Sequence, residues 1–154
     1  MLGRTYEAQN CSAARALEVV GERWNLLILR DALFRGMTRF SEFERSLGVA
    51  PNILASRLQS FVQAGLMAQD PKSASEQPRY SLTEKGRDLA PTIVALTGWG
   101  DRWAAPNGPP IVFAHRNCVT DVRQSIRCPN CNKEVPAAEL QARPGPGAGW
   151  ADSG

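Results

Sequence analysis

Four side chains in the last third of the sequence have the types and the spacing of a metal site. Two residues separate His115 from Cys118, and two separate Cys128 from Cys131. Imidazole and thiolate are ligands that tetrahedral zinc takes, and this spacing lets each pair chelate one ion from a tight turn. The pattern therefore predicts a structural zinc. A reduced, metal-free hairpin and a redox pair of Cys128 and Cys131 stay open as alternatives.

The same residue types could serve catalysis, but the other parts of a catalytic site are missing from the sequence. A zinc deaminase needs a glutamate beside its histidine, whereas Arg116 and Asn117 follow His115. Four protein ligands would also leave zinc no open position for water or substrate. The sequence contains neither a P-loop nor a dinucleotide fingerprint. We therefore expect no enzymatic activity.

Helical periodicity recurs four times in the part of the chain that precedes this cluster. Ser12 is a good N-cap residue, Ser41 with Glu44 reads as a capping box, and Pro51 suits a first helical position. A glycine closes each of the four segments. The pattern predicts a short amphipathic helix, an apolar core helix, a short third helix and a fourth helix, at about residues 12–20, 22–34, 41–47 and 51–63.

The fourth predicted helix is amphipathic. Leu54, Leu58 and Phe61 recur at the spacing of one helix face and should pack into the core. The opposite face carries only polar side chains, namely Asn52, Ser56, Gln59 and Gln63.

The rest of the chain predicts a hairpin, a long helix and a small module. LMAQD and RYSL, joined by a turn-rich segment, read as a β-wing at about residues 67–82. Thr83 is the expected N-cap of a helix that reaches about residue 103 and bends at Pro91. A strand at IVFAHRNC and a knuckle at CPNCNKEV follow, and no internal repeat is apparent. The predicted domains are residues 1–105, a Cys/His module at 106–140 and a flexible tail at 141–154.

The order of these elements indicates an α+β fold, mainly helical, with the winged helix-turn-helix arrangement and a small C-terminal β-hairpin or zinc-knuckle-like module. An α-helix fits the major groove of DNA, and a hairpin beside it reaches the neighbouring backbone. On this interpretation the polar face of the fourth helix reads bases through Asn52, Ser56 and Gln59. The expected phosphate contacts are Arg39, Arg57, Lys72 and Arg79. A merely solvated helix face is the alternative.

Charge and composition allow this function without requiring it. The formal net charge is +3 over 154 residues, and 43% of the residues are hydrophobic. No stretch is apolar enough to span a bilayer, and the first residues lack the apolar centre of a signal peptide. We expect a cytoplasmic protein without a membrane partner.

Residues 10–103 resemble the HxlR-type regulators, a dimeric winged-helix family related to the MarR regulators. The resemblance depends on GERW at residues 21–24, RF at 39–40, ILASRL at 53–58, GL at 65–66 and LTEKG at 82–86. It implies a homodimer built from the first helix and the long C-terminal helix. It also implies paired recognition helices on a pseudo-palindromic operator in double-stranded DNA, with half-sites about 34 Å apart.

The sequence departs from the family in the wing. Members often carry a basic residue shortly after the Gly-Leu step, where this chain has Ala68, Gln69 and Asp70. We therefore expect weaker wing contacts, or contacts that depend on Lys72 and Arg79. An adaptor that keeps the winged fold without specific DNA binding is the alternative function.

Cys11 matches an N-terminal cysteine that many of these regulators share and that some use to sense oxidants or electrophiles. A thiol beside a helix N-terminus has a lowered pKa, and Arg15 lies one turn further on. The resemblance thus makes Cys11 a candidate redox sensor; a small packing residue near the dimer seam is the alternative. A small aromatic or lipophilic effector, held between the core and the long helix, is also expected.

Overall fold

The computed structural model describes residues 5–70 and 77–148. The chain forms two compact units, which divide between Ile93 and Val94. This division lies within the last long helix, whereas the boundary expected from the sequence, at residue 105, follows that helix. Lys72 of the expected wing and the end of the expected flexible tail lie outside the described residues.

The first unit has the element order of a winged helix-turn-helix, as predicted. Four helices precede a two-stranded antiparallel sheet, and the pairing of Met67 with Leu82 and of Gln69 with Tyr80 fixes its register. A short helix follows the second strand. The elements are α1 (Ser12–Val20), α2 (Asn25–Phe34), α3 (Phe40–Leu47), α4 (Pro51–Gln63), β1 (Met67–Gln69), β2 (Tyr80–Leu82) and α5 (Glu84–Arg87).

The core helix α2 begins later than the sequence predicts. Trp24 has a φ of 82°, in the left-handed region, so the GERW segment lies before the helix instead of forming its first turn. Ile28 and Leu29 are fully buried, but Leu27 and Phe34 are 40% and 41% exposed. Leu27 and Phe34 lie seven residues apart and therefore share a face of α2 that the first unit leaves open.

The helix α3 begins at Phe40, and its capping residue is Glu42 instead of the predicted Glu44. The Glu42 carboxylate accepts hydrogen bonds from the backbone N–H groups of Thr38 and Arg39, at 2.8 and 2.9 Å. Ser41 lies inside the helix. The start of the helix and its capping residue differ from the prediction because of a contact with the wing. The backbone N–H of Tyr80 donates to the carbonyl of Thr38, at 2.7 Å, and this contact holds the segment before α3 extended.

A buried carboxylate connects α2 to α3. Asp31 is fully buried, with Arg30 Nη2 at 2.7 Å from its Oδ1. The Ser46 hydroxyl donates a hydrogen bond of 2.6 Å to Oδ2 of the same carboxylate. A buried charge that loses its partner costs about 3–5 kcal/mol, so this cluster fixes the packing of α3 on the core helix. The surrounding apolar core is formed by Val20, Ile28, Leu29, Phe43, Val49, Leu54, Leu58, Phe61, Leu66, Met67 and Ile93.

The predicted long helix is divided into α5 and α6 (Ala90–Trp103). Thr83 caps α5 as predicted, because its Oγ1 accepts a hydrogen bond from the Gly86 N–H at 3.2 Å. The helix is interrupted at Asp88 and Leu89, shortly before Pro91, instead of continuing through a bend at the proline. Pro91 lies in the first turn of α6, where its missing N–H removes no intrahelical hydrogen bond.

The second unit contains little regular structure after α6. Two short antiparallel strands, β3 (Ala114–His115) and β4 (Thr120–Asp121), form a hairpin, and a 3-10 turn covers Ala137–Glu139. A single antiparallel bridge joins Arg127 to Glu134. In the described part of the chain no helix combines the length and the apolar character needed to span a membrane.

Candidate nucleic-acid interface and cysteine sites

The two faces of α4 differ as the sequence predicts. Leu54, Leu58 and Phe61 are fully buried in the core. On the other side the three side chains predicted to read bases, Asn52, Ser56 and Gln59, are exposed. The helix therefore presents amide and hydroxyl groups outward, and such groups can donate to and accept from base edges.

The turn between α3 and α4 is tight. Gly48 has a φ of 60°, a conformation that glycine adopts without strain, and it ends α3. Val49 is buried, Ala50 precedes the helix, and Pro51 takes its first position. This connection anchors the N-terminal end of α4, the end at which recognition helices contact bases.

Two predicted phosphate contacts, Arg39 and Arg79, lie side by side. They pair across an isolated antiparallel bridge between the segment before α3 and the base of the wing, and both are exposed. The pKa of Glu42 is lowered, first by the hydrogen bonds from the Thr38 and Arg39 N–H groups and to a smaller extent by the two arginine charges. The bridge therefore creates a cationic patch beside α3.

Arg57 has a different environment from the other predicted phosphate contacts. Its Nη2 lies 3.1 Å from Glu22 Oε2, and its side chain is only 16% exposed. Its Nε is buried and has no hydrogen-bond partner among the described atoms. Glu22, the glutamate of the GERW motif, is not among the site residues predicted from the sequence. The ion pair connects α4 to the segment before α2.

The described part of the wing carries little positive charge. Ala68, Gln69 and Asp70 are exposed, and the Asp70 N–H donates to the Arg79 carbonyl at 2.9 Å. Lys72 lies outside the described residues, so its predicted phosphate contact stays a prediction.

Cys11 lies at the N-terminus of α1 and is exposed. Its side chain does not form a regular N-cap hydrogen bond. The pKa of the thiol is nevertheless lowered, chiefly through interaction with the backbone N–H groups of Ala14 and Ala13. Arg15, which the sequence analysis expected to assist, instead lies 4.0 Å from Glu18. The helix N-terminus therefore favours the thiolate without help from a neighbouring cation.

The four residues predicted to bind zinc form two separate pairs. His115 Nδ1 lies 2.9 Å from Cys118 Sγ. The pKa of Cys128 is lowered by hydrogen bonds from the backbone N–H groups of Cys131 and Asn130 and from the Cys131 side chain. All four cysteines of the chain are free thiols. Within residues 5–70 and 77–148, no three His, Cys, Asp or Glu side chains converge on a point where they could hold a metal ion.

A groove of about 750 Å³ lies within the second unit. Its lining combines apolar side chains of α6 and the following segment with a few charged groups; it includes Trp99, Trp103, Ile111, Val112, Arg102 and Arg123. Ligand-binding clefts have similar volumes. The predicted small-molecule effector stays a prediction, because nothing in this lining identifies its chemistry.

Comparison with known proteins places these features in one family of regulators. A family model described as HxlR-like helix-turn-helix matches residues 19–108. Rv3095 of Mycobacterium tuberculosis, an uncharacterized HTH-type transcriptional regulator, is 45% identical over 138 residues, which cover 88% of this chain and 87% of Rv3095.

Solved structures agree with the sequence comparisons. The crystal structure of PA1607, a candidate transcription factor, matches with a TM-score of 0.80 at 36% identity and covers 90% of this chain and 97% of PA1607. The redox regulator HypR, in its reduced form, matches with a TM-score of 0.55 at 26% identity, over 60% of this chain and 92% of HypR. The similarity to PA1607 therefore extends beyond the region that the family model matches.

Proposed function

Because this chain belongs to the HxlR-like helix-turn-helix family of transcriptional regulators, which are not enzymes, we propose that it regulates a promoter by binding a pseudo-palindromic operator as a homodimer. The observation that carries the proposal is the division of α4 into two faces. Leu54, Leu58 and Phe61 anchor the helix in the core, so that its polar face is held outward by a rigid support. A helix presented in this way can enter the major groove of double-stranded DNA.

Base recognition is assigned to the N-terminal half of α4. Asn52 and Ser56 lie one turn apart on the exposed face, and Gln59 extends the same face. An asparagine or glutamine amide can pair with the N6 and N7 edge of adenine, and a serine hydroxyl can donate or accept. These three side chains are therefore proposed to set the sequence preference.

Backbone contacts are assigned to the cationic patch of Arg39 and Arg79. Both side chains are exposed, and the bridge between them fixes their spacing. Arg57 is assigned mainly a positioning role, because Glu22 already neutralises much of its charge. Phosphate contacts orient a protein on the duplex without reading sequence, so the patch contributes affinity more than preference.

The homodimer is proposed to use α1 and α6. Each helix exposes large apolar side chains: Leu17 of α1 is 51% exposed, while Leu96, Trp99 and Trp103 of α6 are 51%, 63% and 66% exposed. Aromatic side chains are enriched in the cores of protein interfaces, and apolar residues exposed in this way favour burial against a second copy. Two copies related by a twofold axis would present two α4 helices to successive turns of one DNA face.

Fluorescence anisotropy with the DNA upstream of the chain's own coding sequence tests the proposal. We expect saturable binding that weakens as salt rises and exceeds binding to a random duplex of equal length, because phosphate contacts release counterions. Light scattering on the same sample should give twice the mass of the chain. Equal affinity for both duplexes would favour the adaptor alternative, and a monomeric mass would remove the dimer.

A second proposal is that Cys11 makes the regulator responsive to oxidants. The specific observation is an exposed thiol whose pKa is lowered at a helix N-terminus, in a chain similar to a redox regulator. The thiolate would attack one oxygen of hydrogen peroxide, break the O–O bond and become a sulfenic acid, while the second oxygen leaves as hydroxide and is protonated to water. A polar group of this kind at the N-cap of α1 would disturb the start of a helix that the proposed dimer uses.

A further inference from the structure

The two turns that carry the His/Cys pairs have the same backbone hydrogen bonding. In the first turn the Val119 N–H donates to the His115 carbonyl, at 2.7 Å. Thirteen positions later the Asn132 N–H donates to the Cys128 carbonyl, at 2.9 Å. The second ligand of each pair directly precedes the donating residue. The two pairs therefore occupy equivalent positions in equivalent turns.

The equivalence extends into the strands on both sides of each turn. The Val122 N–H donates to the Phe113 carbonyl at 2.8 Å, and the Val135 N–H donates to the Ile126 carbonyl, also at 2.8 Å. Ala114 pairs with Asp121, and at the corresponding positions Arg127 pairs with Glu134. Residues 113–122 and 126–135 are thus two copies of one hairpin.

The sequence analysis expected no internal repeat, and the backbone corrects this expectation. FAHRNCVTDV and IRCPNCNKEV are identical at three positions only, the asparagine, the cysteine after it and the last valine. Three further positions keep their chemical class: the first residue of each copy is apolar, the third is a residue type that can bind zinc, and the ninth is acidic. So few identities in so short a segment give little signal in a sequence, whereas the hydrogen bonds show the repeat directly.

Both turns place a non-glycine residue in the left-handed region. Val119 has a φ of 52° and Asn132 a φ of 56°. Asparagine tolerates this region, but a β-branched valine is strained there, so the turn imposes the conformation on the side chain. In the first turn this conformation leaves His115 Nδ1 2.9 Å from Cys118 Sγ, and the second turn places Cys128 and Cys131 at the equivalent positions.

The hairpins lack an apolar core that could hold them together. Every residue from 114 to 134 is exposed except Cys128, which is half-buried. Small modules without a sufficient core commonly depend on a disulfide or a structural metal. The free thiols of the described chain leave a metal as the cross-link that fits.

We propose that residues 113–135 form a zinc-binding module in which His115, Cys118, Cys128 and Cys131 together complete one tetrahedral site. Two nitrogen- or sulfur-bearing pairs from two equivalent knuckles supply four ligands, which makes a closed, structural site. Binding displaces the three thiol protons, while neutral His115 lends a nitrogen lone pair. The metal thus keeps its charge and oxidation state, and the protons pass to solvent.

Metal binding would have to bring the two hairpins together. Among the described side chains the pairs do not yet converge, and the three residues 123–125 connect one hairpin to the next without strand structure. Within the first pair, ligands at tetrahedral angles would separate Nδ1 and Sγ to about 3.6 Å, from the present 2.9 Å. The change within the pair is a side-chain movement, whereas bringing the hairpins together requires backbone rotation within the linker.

Metal analysis of the full chain, purified with reduced thiols and without chelator or added zinc, tests the proposal. We expect about one zinc per chain, released in step with the cysteines when a mercurial reagent titrates them. Cys128→Ser and His115→Ala should each lose most of the metal, whereas the matched control Cys11→Ser should keep it. His115→Cys should retain zinc, because a fourth thiolate fits the same position.

Cobalt substitution keeps the test decisive if a ligand variant folds poorly. The cobalt form of the unaltered chain should show the absorption of a tetrahedral thiolate site, and His115→Cys should strengthen its sulfur-to-metal charge-transfer band. Zinc near zero with all thiols reactive would overturn the proposal, and so would zinc content unaffected by Cys128→Ser. A Cys128–Cys131 disulfide, found by mass spectrometry in freshly isolated protein, would overturn it in favour of a redox pair.

Discussion

Arg39 and Arg79 pair across an isolated antiparallel bridge, so that two like charges are held next to each other at the base of the wing. Neither guanidinium forms an ion pair among the residues described, but both charges act on the Glu42 carboxylate, which accepts hydrogen bonds from the Thr38 and Arg39 N–H groups. Adjacent like charges on paired strands are unfavourable unless a counterion lies beside them. Glu42 supplies part of this counter-charge, and on the proposed function a phosphate group of the DNA backbone would supply more.

Arg39→Ala and Arg79→Ala should therefore weaken binding to every duplex by a similar factor. Each substitution removes one phosphate contact, so the slope of log affinity against log salt should fall by about 1. Anisotropy titrations at several salt concentrations measure this slope. Arg143→Ala, an exposed arginine far along the chain, is the control, and an unchanged slope in both test variants would contradict the assignment.

Asn52→Ala should change preference more than overall affinity. If the amide reads one base pair, its removal should reduce discrimination at that position by about 1–3 kcal/mol and leave other positions unaffected. Titration of single-base operator variants measures the effect. Gln63→Ala is the matched control, because Gln63 is exposed at the opposite end of α4. Equal losses on all operator variants would show that Asn52 reads no base.

The sequence predicted α4 but not the conformation of the segment before α2, and the difference has a physical reason. The apolar spacing of Leu54, Leu58 and Phe61 determines the buried face of α4, so periodicity alone predicted this helix and its exposed polar face. Trp24 shows the limit of periodicity, because a left-handed tryptophan results from tertiary packing that no local propensity encodes. The Glu42 cap was missed for a similar reason: its register depends on the contact between Tyr80 and Thr38, far apart in sequence.

Arg57→Ala should reduce stability more than it reduces DNA affinity. The Arg57–Glu22 pair is partly exposed, with the glutamate side chain 45% accessible, so the coupling energy should be only about 0.5–1 kcal/mol. A double-mutant cycle with Glu22→Gln, followed by urea unfolding, measures this coupling. If Arg57→Ala instead lowered the slope of log affinity against log salt by about 1 and showed no coupling to Glu22, the phosphate contact predicted from the sequence would be supported.

Cys11 should react faster with peroxide and alkylating agents at neutral pH than a cysteine in an unstructured peptide. Its pKa is lowered in the folded chain, so a larger fraction is thiolate. The lowered pKa also means that the thiolate stabilises the folded chain; this stabilisation is fully present above the ordinary thiol pKa and is lost as pH falls through the lowered pKa. Alkylation rates measured against pH, with mass spectrometry to assign the site, report the midpoint.

The effect of Cys11 oxidation on DNA binding is tested with the variant Cys11→Ser. Peroxide should release the unaltered chain from its operator, whereas Cys11→Ser should stay bound. Binding of Cys11→Ser before peroxide is added serves as the control, and it should equal that of the unaltered chain, because serine is also a good residue at a helix N-cap. Release of Cys11→Ser at the same peroxide concentration would show that another group senses the oxidant.

Gly86→Ala should destabilise the first unit through a clash with the backbone. A Cβ at this position would overlap the Leu66 carbonyl oxygen, and the backbone cannot move aside as a flexible side chain can. Such overpacking costs about 1–3 kcal/mol. Gly100→Ala is the control, because a Cβ there meets nothing within 4 Å and the helix interior should gain about 0.5–1 kcal/mol. If the urea midpoints of both variants moved in the same direction, the close packing of α5 on Leu66 would not be the reason for the glycine in the LTEKG motif.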